Sequence, residues 1–121
     1  MRSNDDRHLK PYAEPVLLSE LREDTVYFAV NFVDEAMLIP TVEPVVFVGR
    51  NLSPEDEQTV YFQDAESFGR GVRYHSATDR DHAVFFQGSE DEINHIFTYA
   101  RTLDVLWACA DRRKKKLHED D

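Results

Sequence analysis

The sequence predicts an α+β domain: a mostly antiparallel, curved sheet or small, partly open barrel of about five strands, followed by one long C-terminal helix. Three observations point there. Short β-rich runs with period-two alternation fill the chain up to residue 87, without the interleaved helices that a βαβ fold requires. Apolar residues at spacings of three and four then fill the last third. The chain has 121 residues, 41% hydrophobic and 12% aromatic, enough for one core and too apolar for a disordered chain.

Residues 1–14 are polar and charged and predict a flexible N-terminal arm; residues 15–113 form the single domain and 114–121 a charged tail. Val16, Leu17, Leu18 and Leu21 fit either a helical turn or an edge strand. In Thr25–Val33, Val26, Phe28, Val30 and Phe32 alternate with Tyr27, Ala29 and Asn31, which predicts a strand. Ala36–Ile39 is a short apolar run stopped by Pro40. Val45–Val48 is unbroken apolar sequence, as in a strand covered on both faces. Residues 49–56 read as a loop. Thr59–Asp64 and Val72–His75 are expected to pair as a hairpin, with Phe62, Val72 and Tyr74 inward, and Ala83–Gln87 is the last strand.

The capping-box pattern Ser89-x-x-Glu92 marks a helix start. Ile93, Ile96, Phe97, Ala100, Leu103, Trp107 and Ala110 would be its core stripe, and Arg112–Lys116 would complement its C-terminal dipole. The expected span is about residues 90–113. Val105, Leu106 and Cys109 widen the apolar arc beyond what one small sheet covers, which makes them dimer-interface candidates and the chain a homodimer.

Net charge is −10. Residues 112–121 hold five of the 14 bases and three of the 24 acids, so residues 1–111 carry nine bases against 21 acids, a net of −12. Such a body repels phosphate backbones and anionic lipid, so it argues against nucleic-acid and membrane partners and favours a protein with a basic surface. The basic run alone would support nucleic-acid or lipid contact, but it also suits a helix C-terminus. There is one cysteine, no leader-like N-terminal stretch and no run of about 18 apolar residues, which together predict a reducing, bacterial-type cytoplasm.

Phosphate-loop, dinucleotide, zinc-protease, nucleophile-elbow and paired C-x-x-C motifs are absent. Gly69-Arg70-Gly71 lacks the third glycine of a dinucleotide loop. The expected hairpin would present Tyr61, Gln63, Arg73 and His75 outward, with Asp64, Glu66, Ser67 and Arg70 near its tip. Tyr and Arg are common in binding hot spots, so Tyr61, Gln63, Asp64, Glu66, Arg70, Arg73 and His75 are the partner-binding candidates. Cross-strand ion pairing of Arg73 with Asp64 or Glu66 is the plain structural alternative. A catalytic version would need His75 as base, Asp64 or Glu66 to orient it and Ser67 as nucleophile. His75, Asp79, Asp81 and His82 match no metal-ligand spacing.

The sequence thus favours a non-catalytic, homodimeric binding or adaptor protein without a cofactor. The alternatives are a small enzyme or ligand-binding protein with a pocket between sheet and helix, and an acidic antagonist or immunity-type protein masking a basic surface.

Overall fold

A computed structural model describes residues 12–120. Of the expected N-terminal arm, residues 1–11 lie outside the described residues. The fold is α+β: a five-stranded antiparallel sheet, not closed, and a long C-terminal helix. Its strands are β1 (Thr25–Phe32), β2 (Pro40–Arg50), β3 (Val60–Asp64), β4 (Phe85–Gly88) and β5 (Ile96–Phe97). The spatial order is β4-β3-β2-β1-β5. Two helices interrupt or follow them, α1 (Ala65–Gly69) and α2 (Tyr99–Asp120).

β1 has the expected alternation, but both of its faces find cover. Tyr27 and Ala29 join Val45, Phe47, Val60, Phe62 and Ile96 in the main core, closed over by Val16, Leu21 and Ile93. Val30 faces the other way and packs with Phe97 and Val105 under α2. The undecided segment before β1 is a single 3-10 turn, Leu18–Glu20. Arg50 clamps it to the sheet: its guanidinium stacks 4.8 Å from the Phe47 ring centre and donates to the Leu18 and Leu21 carbonyls.

β2 is longer than the four-residue strand expected, because Pro40 and Pro44 lie inside it. β3 pairs only with Val45–Arg50, so the 40–44 stretch has a free edge where a missing N–H costs no ladder bond. Gly49, expected in a loop, sits at a bulge between β2 and β3. Its φ is +154°, a backbone conformation that favours glycine, and a Cβ there would lie 2.9 Å from Leu52 Cδ2, so the Leu52 side chain would also have to shift.

The expected hairpin does not form. Asp64 caps α1 and ends β3, so the chain turns into a helix. Tyr74–Ser76 is a 3-10 turn, and β4 takes the place beside β3, pairing Phe62 with Phe86.

The C-terminal helix also starts later than residue 90. The Ser89–Glu92 capping box exists, but it closes only a 3-10 turn, Glu90–Ile93. Ile96 and Phe97 then extend along the edge of β1, opposite Ala29 and Phe28, where both side chains are buried. Thr98 starts α2 instead: its hydroxyl accepts from the Arg101 N–H at 3.2 Å. The helix runs to Asp120, through the segment expected as a tail.

Candidate functional site

The residues expected on the outer hairpin face divide between interior and loop. Tyr61 and Gln63 are buried rather than outward, because residues 65–85 fold across that face of β3. The Tyr74 ring packs edge-on against both Tyr61 and Phe85, with centroids 5.3 Å apart in each pair. Tyr61 donates to the Asp56 carboxylate, and this bond, then burial, pushes the phenol up to about 12.

Gln63 is fully buried and holds α1 against the sheet. Its Nε2 donates to Ser67 Oγ at 2.8 Å and to the Val72 carbonyl at 2.9 Å. Turning the amide over would set two acceptors against each other at Val72, so the bond pattern assigns the nitrogen. Gln63 Oε1 is left buried without a partner. The Ser67 hydroxyl is also buried and donates to Asp64 Oδ1 at 2.6 Å. Asp64 further accepts from the Ser67 N–H at 2.9 Å and the Val84 N–H at 2.8 Å. Burial alone would raise the Asp64 carboxyl, but the Ser67 and Val84 bonds and the nearby Arg70 outweigh it and hold the group below its ordinary value.

The remaining members are loop struts. Arg70 donates to the Asp81 carbonyl at 2.7 Å and lies 3.7 Å from the exposed Glu66 carboxylate. Arg73 folds back over the Phe68 ring at 3.8 Å and donates to the Phe68 and Val72 carbonyls, so it makes neither of the ion pairs expected with Asp64 or Glu66. His75 is exposed and stands edge-on to Tyr74. The Ser67 hydroxyl, the nucleophile of the catalytic reading, is thus sealed from solvent and bonded to Asp64 and Gln63, with no hydrogen bond to His75. Among the described residues, no group of three His, Cys, Asp or Glu side chains is placed to hold a metal ion.

A cavity of about 300 Å³ does lie between sheet and helix, but no hairpin residue lines it. Tyr12, Val30, Phe32, Met37, Phe97 and Val105 make most of its wall. Tyr12 spends its hydroxyl on the Met37 carbonyl at 2.9 Å, which leaves Asn94 and His95 as polar lining. Burial pushes the His95 ring down, so its neutral form is favoured.

The most distinctive surface is α2. Thr102, Val105 and Cys109, at i, i+3 and i+7, are its buried face. Val105 packs with Val30 and Phe97, and the Cys109 thiol points at the Met37 and Leu38 carbonyls, 3.5 and 3.3 Å away. Burial pushes that thiol up, away from the reactive thiolate. Val105 and Cys109 are therefore core residues rather than interface residues, and Leu106 is half-buried. Of the expected core stripe, Ile93, Ile96 and Phe97 are buried, but all three precede the helix; on α2 itself Ala100, Leu103, Trp107 and Ala110 face outward. Tyr99, which lies outside that stripe, Leu103 and Trp107 are 66%, 48% and 76% exposed. They stand at i, i+4 and i+8 and form one outward line.

This line joins the sheet. The Tyr99 ring packs edge-on against Phe28, centroids 5.4 Å apart. Phe28 shares its face of β1 with Val26 and Val30, which lie opposite Val46 and Val42 on β2, with Pro44 opposite Phe28 itself. Val46 and Val30 are covered, whereas Val26, Val42 and Pro44 remain exposed. An apolar surface thus runs from the sheet onto the helix and ends at Arg112–Lys116.

No protein-family model matches the chain, and no curated protein or solved structure matches it. Among the described residues, no helix is long and apolar enough to cross a membrane.

Proposed function

We propose that this chain is a non-catalytic binding or adaptor protein that acts as a homodimer through the outward line of α2. The observation that carries the reading is the exposure of Trp107, Leu103 and Tyr99 on a helix whose opposite face is packed. Solvated helix faces are normally polar, and exposed apolar surface that is contiguous and rimmed by charge marks interaction sites. Trp and Tyr are also the residues most enriched in binding hot spots. The sealed Ser67, and an Asp64 carboxylate bonded to Ser67 and Val84 rather than to His75, weigh against the catalytic alternative.

Leu103→Glu tests it. The side chain is half exposed, so the variant is expected to keep its melting temperature within a few degrees. In sedimentation velocity at micromolar concentration, the wild-type chain is expected at twice its 14.1 kDa mass and the variant at the single-chain mass. Equal masses for the two proteins would remove α2 as the association surface.

A further inference from the structure

The outward line of α2 reads the same in both directions. Aromatic, leucine and aromatic occupy 99, 103 and 107, with Leu103 four residues from each end. A twofold interface must be complementary to itself. From this pattern we infer, building on the homodimer reading above, that the partner on this surface is a second copy with its α2 antiparallel. The twofold passes at Leu103, Leu103 meets its counterpart, and each Trp107 packs on Tyr99 of the other copy.

Charge selects the antiparallel arrangement. Parallel helices would set the five bases Arg112–Lys116 of one copy beside the same five of the other, within a Debye length of about 8 Å at physiological salt. Antiparallel helices separate the two runs by about 33 Å along the axis, from eleven residues on each side of position 103 at about 1.5 Å each. Each basic run then lies against the other copy's acidic remainder, where residues 1–111 carry −12. Antiparallel helix dipoles attract as well. Area is adequate: covering a Trp and a Tyr hides roughly 300 Å² per copy or more. Leu103, Val26, Val42 and the basic run extend this toward the roughly 800 Å² that a stable interface covers on each partner.

Single-cysteine cross-linking with a short bifunctional thiol reagent tests the arrangement. The wild-type chain is the control, since its only cysteine, Cys109, is buried. Leu103→Cys is expected to cross-link to itself. Ala110→Cys keeps both aromatics and lies on the exposed side; its two copies would be about 21 Å apart along antiparallel helices and adjacent in parallel ones. Its self-cross-linking is expected to be at least about tenfold weaker than that of Leu103→Cys. A mixture of Tyr99→Cys and Trp107→Cys is expected to cross-link between variants more than either does alone. Strong Ala110→Cys self-cross-linking would mean parallel helices; it would overturn the inference and leave the homodimer standing. A wild-type dimer in which none of these cysteines cross-links would overturn both the inference and the α2 surface. A wild-type chain that sediments as a monomer at all concentrations would overturn the second copy as occupant.

Discussion

Phe62→Ala is expected to lower the unfolding free energy by about 3–5 kcal/mol, while Trp107→Ala changes it by less than about 0.5 kcal/mol. Phe62 is fully buried on β3, between β2 and β4. Its ring sits 5.7 Å from Phe47 and stacks 5.5 Å from Phe86, so it joins β2, β3 and β4. Truncation leaves a cavity that strands fixed by ladder bonds on both sides cannot close. A loss of that size is a large part of the roughly 5–15 kcal/mol stability of a typical domain. The sequence pattern alone assigns Trp107 a similar cost, as a core residue of the helix. Its 76% exposure removes the basis for it, provided stability is measured where the chain is monomeric. Urea unfolding of both variants at low protein concentration checks the pair. A large loss at Trp107 would mean that the ring is buried in the single chain.

Asp64→Ala is expected to cost about 3 kcal/mol, the second largest effect. One carboxylate caps α1, accepts the Ser67 hydroxyl and accepts the Val84 N–H that leads into β4. Its removal takes the partner from the buried Ser67 hydroxyl and frees the chain on both sides of the residue 70–84 loop. The pH dependence follows from the lowered folded-state value. In the unfolded chain the group titrates near 3.9, so its contribution is fully present above that value. It is lost as pH falls below about 4 and through the folded-state value. Asp64→Asn, which keeps the shape and cannot ionise, is expected to show a shallower loss of stability across that acid range. Equal acid profiles for wild type and Asp64→Asn would show that the carboxylate charge is not what ties the loop down.

These residues show what the sequence made legible. Period-two alternation located β1 and β3, and the spacing of apolar residues announced a long C-terminal helix. The phase of that helix was not legible. Ile93, Ile96 and Phe97 fit a helical repeat, yet Ile96 and Phe97 gain more by pairing with the edge of β1 and burying one side chain on each face. An extended pair does not advance the helical rotation, so a stripe anchored on Ile93 does not carry past Thr98. Thr98 was the available signal, a good N-cap whose Arg101 contact restarts the count and brings Thr102, Val105 and Cys109 inward. The hairpin failed for a similar reason. Asp64 followed by Ser67 is a helix-capping arrangement that ends β3, and local periodicity cannot tell which of two later runs, 72–75 or 85–88, reaches the open edge. Gln63 could not be recognised as buried, because its cover is a loop with no periodic pattern of its own.

The central claim, that the outward line of α2 is covered by a second copy, has a built-in reporter. Trp107 is the only tryptophan in the chain, so intrinsic emission reads that one position. In a dilution series of the wild-type protein, emission is expected to be blue-shifted at high micromolar concentration and to move to the red, as the ring re-enters water, across the range where sedimentation shows dissociation. Leu103→Glu is expected to give the red emission of an exposed ring at every concentration. Wild-type emission that is red and independent of concentration, with Trp107 as solvated as it is in the single chain, would contradict the claim.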